Sequence, residues 1–169
     1  LATLLCRYRL LLTAVLAIAT VIAATHSYQI KKKIKGDYQI GIQLRGNHQD
    51  SEAEQAFLRA SSDARIAAFP QNPDIPHAMT ALSWLYSEQK RDDAALVQYQ
   101  RLTERYPYWT FIHQIHDGVA QLHERNGRIE EAVAAFSRCA EIDRFSSVGK
   151  RCRKKYLQLS TVLSTGETE

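Results

Sequence analysis

Two stretches of this chain repeat one another 37 positions apart, and a helical pattern that recurs at such a period leaves few folds open. Ala95, Tyr99 and Leu102 recur as Ala132, Phe136 and Cys139, and Phe69-Pro70 recurs as Tyr106-Pro107, each 37 on. Within each copy the apolar residues fall three or four apart, which is the spacing of one helix face. PHAMTALSWLYSEQ, the polar turn KRDD and AALVQYQRLTERYP read as two amphipathic helices with a short connection. Residues 109–125, a turn at Asn126-Gly127 and residues 128–143 read as a matching pair. A helix pair with one apolar face cannot bury that face alone and must stack on a neighbour. The expected fold class is therefore all-α, a short helical solenoid.

Phe69, Pro70, Asn72, Pro73, Ile75, Pro76, Ala78, Ala81, Leu82, Leu85 and Tyr86, followed by Ala95, Tyr99, Leu102, Tyr106 and Pro107, resemble a tetratricopeptide repeat. The string is similar in particular to the repeats of bacterial envelope-assembly proteins. Small Ala81 and Ala95 let two helices approach, Tyr86 and Tyr99 fill the crevice, and the prolines stop each pair. The second copy departs at Arg144, in place of the terminal proline, and at His123, in place of Tyr86. The expected solenoid covers 51–163: a degenerate helix at 51–69, repeats at 74–107 and 109–144, and a capping helix at 147–163 before a tail at 164–169. Ser51 with Glu54 forms a capping-box pattern at the start of the first helix.

Ahead of the solenoid lies an apolar stretch, Leu10 to Ile30, without formal charge when His26 is neutral. As a helix it spans about 31 Å, which matches a hydrocarbon core of about 30 Å. Arg7 and Arg9 before 15 apolar residues that end in small ones also suit a secretory signal peptide. The expectation is a retained single transmembrane anchor at 1–30 in a bacterial inner membrane. Gly36, Gly41 and Gly46 break up residues 36–49, so residues 31–50 are expected to form a basic flank and a linker or short irregular helix. Lys31, Lys32, Lys33 and Lys35 outweigh Arg7 and Arg9, which places the soluble domain on the cytoplasmic side by the positive-inside rule, with the periplasmic side as the alternative.

The formal charge of +4 also belongs to this flank. Residues 1–35 carry six basic residues and no acid, so the remainder sums to −2 (4 − 6). That balance argues against a nucleic-acid partner. Cys6, Cys139 and Cys152 show no CxxC spacing, and buried free thiols are expected, with a Cys139–Cys152 pair open if the domain is extracytoplasmic. Glycine-rich phosphate loops, GxSxG and HExxH are absent, so neither an enzyme nor a cofactor is expected.

The resemblance implies that a peptide or partner helix lies along the wall formed by the first helix of each pair. His77, Thr80, Trp84, Ser87, Gln114, Asp117, Gln121 and Glu124 are the residues expected there. The lysine and asparagine clamp by which such repeats hold a terminal carboxylate has no counterpart among them. Tyr108 and Trp109, within the aromatic run Tyr106 to Phe111, are expected to be exposed, with Tyr106 and Phe111 in the core. Lys150, Arg151, Arg153, Lys154 and Lys155 form a basic patch suited to anionic lipid or an acidic partner. His113, His116 and Asp117 share a helix face at metal-ligand spacing, although a structural histidine pair is the plainer reading and no metal is expected. Together these features predict a membrane-anchored protein–protein interaction scaffold. Its partners would be subunits of an integral membrane complex, respiratory or photosynthetic, together with the lipid bilayer. The alternative is an envelope-assembly or quality-control factor that binds clients transiently.

Overall fold

The computed structural model describes residues 2–165, with side chains from 12 to 164, so residues 166–169 of the expected tail and the side chains of Cys6, Arg7 and Arg9 lie outside the described residues. Eight helices follow one another within that range: α1 (Ala2–Gly46), α2 (Asp50–Ala60), α3 (Asp63–Ala68), α4 (Asp74–Glu88), α5 (Asp92–Arg105), α6 (Ile112–Arg125), α7 (Ile129–Ile142) and α8 (Ser147–Thr165). The all-helical class is as the periodicity predicts.

α1 departs from expectation, because the glycine-bearing stretch taken for a linker continues the helix to Gly46. Tertiary packing overrides the weak helix propensity of glycine here. Ile34, Asp37, Tyr38, Gly41 and Leu44 fall at helical spacing and turn toward the rest of the protein, with Ile34 fully buried. At Gly41 the Phe57 ring of α2 lies so close that a Cβ would come within 2.5 Å of Phe57 Cε1. Beside this contact, Asp37 accepts a hydrogen bond from Arg65 Nη1 at 2.7 Å and pairs with Arg59 Nε at 3.5 Å.

The end of α1 and α2 form a helix pair of the same kind as α4–α5 and α6–α7. The three connections share one hydrogen-bond pattern: the N–H groups of Gln49, Arg91 and Arg128 donate to the carbonyls of Leu44, Tyr86 and His123, each at 2.9 Å. One residue earlier sits a left-handed position, at His48 (φ 59), Lys90 (φ 58) and Gly127 (φ 71). Ala53, Phe57 and Ala60 of α2 correspond to Ala95, Tyr99 and Leu102 of α5, now 42 positions apart (95 − 53). The longer period is taken up by α3, which splits the expected single helix at 51–69 after Ser61. Ser61 is buried and its Oγ donates to Phe57 O at 2.8 Å.

The capping box also takes another form. α2 begins at Asp50 without a side-chain cap. Glu54 instead accepts from Tyr86 Oη at 2.9 Å and from Arg91 Nη1 at 2.7 Å, tying α2 to the α4–α5 connection. Burial raises the Glu54 pKa, but the hydrogen bonds from Arg91 and Tyr86 outweigh it and hold the carboxyl below its ordinary value. The same carboxylate, with burial as the larger cause, pushes the Tyr86 phenol up to about 12.

Two apolar cores fill the stack. One runs from Ile34 of α1 through α2, α4 and α5 to α6. The other joins Ala120, Ala132, Phe136 and Cys139 to Cys152 of α8. Cys139 and Cys152 form a disulfide between α7 and α8, with Cα atoms 6.0 Å apart, which corrects the expectation of buried free thiols.

Because the α1–α2 contact has no room for a side chain at position 41, Gly41→Val is expected to destabilise the solenoid by about 2–3 kcal/mol. Urea unfolding of detergent-solubilised protein, followed by circular dichroism, checks this. An unchanged midpoint would mean that α1 is not held against Phe57.

Candidate functional site

The wall expected to bind a partner divides in two. His77 and Thr80, on the first half of α4, are covered by α1 and the α5–α6 connection. Thr80 is buried and donates its hydroxyl to Pro76 O at 2.8 Å. His77 lies within an aromatic cluster, 5.9 Å from the Tyr38 ring of α1, 5.2 Å from Trp109 and 5.8 Å from Phe111. Trp109, expected to be exposed, is thus partly buried against His77 and Phe111. Phe111, expected in the core, keeps 39% of its surface exposed. Tyr108 is 98% exposed, as expected, and Tyr106 packs against the core.

The remaining wall residues do come together. Trp84, Ser87, Gln114, Asp117 and Gln121 line a cleft of about 370 Å³ between α4 and α6, and Glu124 opens on an adjoining one. Trp84 leaves 40% of its surface in solvent, unusual for an indole in a protein this small. Arg125, Tyr99 and Val148 also line it and were not anticipated from the sequence. Arg125 stands four residues after Gln121, hence on the same helix face, and that spacing was the available signal. Its guanidinium donates to Ser87 O at 3.3 Å and to Asp92, joining α6 to α4 and α5.

α8 closes one end of the cleft. Its basic patch separates by helix face: Arg151 bonds to Asp117, and Lys155 donates to Glu124 Oε1 at 2.7 Å, while Lys150, Arg153 and Lys154 face solvent. Asp117 is buried and serves as a junction. Its Oδ2 accepts from Gln121 Nε2 at 2.8 Å and from Arg151, and its Oδ1 lies 3.3 Å from Cys152 Sγ. A disulfide sulfur carries no proton, so this last approach is a contact and not a hydrogen bond. Asp117, Cys139 and Cys152 would have the spacing of a metal site, but the disulfide consumes both thiolates.

His113, His116 and Asp117 do not converge. Asp117 turns to Arg151, and His113 Nε2 lies 3.8 Å from Asp143 Oδ2. His116 lines a separate cleft of about 450 Å³ with His123, Arg128 and Arg138. Burial, and then the nearby Arg138 cation, lower the His116 pKa. Burial also lowers that of His123, helped by Arg128 and opposed by Glu131.

What the cleft offers is two amides, an indole face and side-chain charges already neutralised within the chain. Such a surface suits hydrogen bonding to a peptide backbone and packing of an apolar side chain, and holds no nucleophile–base pair. Residues 114–145, most of α6 and all of α7, match the tetratricopeptide repeat family, so a tetratricopeptide repeat is present on the cleft's α6 side. No curated protein matches the chain. A tetratricopeptide repeat suggests a protein–protein interaction role.

His116 has a folded-state pKa below its ordinary 6.5, so the neutral form is favoured on folding. The stability it contributes is complete above pH 6.5 and is lost as the pH falls through the lower folded value. His116→Gln is expected to flatten the fall in thermal stability between pH 6.5 and that lower value. An identical slope in the variant would exclude His116 as a source.

Proposed function

We propose that this protein is a membrane-anchored interaction scaffold, an accessory subunit of an integral membrane complex in a bacterial inner membrane. α1 crosses the bilayer, and the cleft at Trp84, Gln114 and Gln121 holds a partner subunit. Among the described residues α1 is the helix long and apolar enough to span a membrane, and its apolar part is uncovered by the rest of the chain. The observation that carries the reading is the continuity of α1, which runs from that apolar part into the solenoid without a flexible joint. A rigid mount presents the cleft at one height and angle, as a fixed-stoichiometry subunit requires. A factor that samples clients gains from a flexible tether.

The disulfide bears on orientation. Such bonds persist in oxidising compartments, and the charge excess that points the other way is only two residues, four lysines against two arginines. We therefore place the solenoid on the periplasmic side. In intact cells Cys139 and Cys152 are then expected to resist maleimide, even after denaturation, until a reductant is added. Alkylation of both without reductant would move the domain to the cytoplasm.

The functional reading is tested by pull-down from mild detergent with quantified stoichiometry. Recovery of an integral membrane complex at a fixed ratio is expected, and Trp84→Ala should weaken that recovery about thirty-fold, as loss of a buried aromatic anchor does. A scatter of sub-stoichiometric clients would support the transient assembly-factor role instead.

A further inference from the structure

Where α1 leaves its apolar stretch, a further cleft opens that the interaction role does not use. It has a volume of about 930 Å³ and lies between one face of α1 and the turn that joins α3 to α4. Tyr28, Lys31, Lys32, Lys35 and Gln39 supply the α1 side, at the spacing of a single helical stripe. Phe69, Pro70 and Pro73 supply an apolar opposite wall.

Three properties define what fits. The first is charge: Lys31, Lys32 and Lys35 are exposed and make no ion pair among the described residues, whereas nine pairs of arginine or lysine with a carboxylate occur elsewhere in them. Asp74 is the acid of the lining, so three cations face one anion. Second, the cleft is amphipathic, because Lys31 Nζ lies 5.7 Å above the Phe69 ring and the two prolines flank it. The third is height. Lys31 is the first residue beyond the Leu10 to Ile30 span, and Lys35 stands about 6 Å further along the helix. A headgroup layer is about 5–8 Å deep on each side of the hydrocarbon.

We propose that this cleft binds the headgroup of an anionic phospholipid drawn from the bilayer that α1 crosses. The lysines would hold the phosphate, and the Phe69 and proline wall would pack against the glycerol and upper acyl region. A water-exposed cationic cleft with an apolar floor has no other ligand as close or as concentrated as the lipid beside it. Lys33 lies outside the cleft and marks the difference between a site and a general basic flank.

The proposal rests on α1 as a membrane span, and the experiment separates the two. The full chain is reconstituted in nanodiscs of phosphatidylcholine with or without phosphatidylglycerol, and the lipid retained on gentle release is counted by native mass spectrometry. One phosphatidylglycerol per protein is expected, retained about ten-fold over phosphatidylcholine. The triple variant Lys31→Gln, Lys32→Gln, Lys35→Gln should abolish the preference and Lys33→Gln preserve it. Incorporation without preference, or equal loss in the Lys33→Gln control, overturns the site and leaves the span intact. Failure to enter either nanodisc overturns both. Displacement of the lipid by millimolar inorganic phosphate would assign the site to a soluble anion.

Discussion

The approach of Phe57 to the backbone of α1 at Gly41 is the contact on which the rest of the architecture depends. Without a side chain at that position the two helices pack closely enough for Asp37 to reach Arg65 and for the aromatic rings of Tyr38, His77, Trp109 and Phe111 to meet in one cluster. The helix proposed to cross the membrane thereby becomes the first helix of the solenoid. Any force applied to α1 from the membrane side is transmitted to α2 and α4 through packed side chains, and to α3 through the part-buried Asp37–Arg65 pair, with no loop between to absorb it.

The opposite end of the stack is closed by covalent and ionic means together. The disulfide fixes α8 on α7, and Arg151 and Lys155 then reach across to Asp117 and Glu124. A buried carboxylate with one charged partner tolerates loss of that partner poorly, because the remaining charge is left without water. α8 therefore does more than cover an apolar end. It neutralises the acids of the cleft, and the surface that remains is the indole of Trp84 with the amide of Gln114 and the part of the Gln121 amide not bonded to Asp117. A cleft of that composition selects by shape and backbone hydrogen bonding rather than by charge.

Much of this was legible in the chain before any coordinates. The 37-residue period placed two helix pairs at 74–107 and 109–144, where α4 to α7 lie, and the basic stretch after them was expected to form a capping helix at 147–163, where α8 lies. The earlier helix pair escaped because its second helix repeats at 42 residues and its first carries three glycines, which read as a break when packing is unknown. Glu54 stood at capping-box spacing, yet long-range partners at Tyr86 and Arg91 drew it away from the helix start. From Trp84 to Gln121 the expected wall residues line one cleft, and Glu124 lies on an adjoining one. His77 and Thr80 were misplaced because the sequence does not reveal that α1 lies over them.

The sequence by itself determined the helical class, the period of the stack and the apolar span, since each is a regular pattern along the chain that can be read without knowing which residues touch. Tertiary structure alone decided that α1 is continuous, that Cys139 meets Cys152, which groove acids α8 neutralises, and that three lysines border an apolar turn. Those outcomes depend on pairs of residues some 13 to 38 positions apart. The physical reason is that such pairs are brought together by the sum of packing elsewhere, which no local pattern encodes.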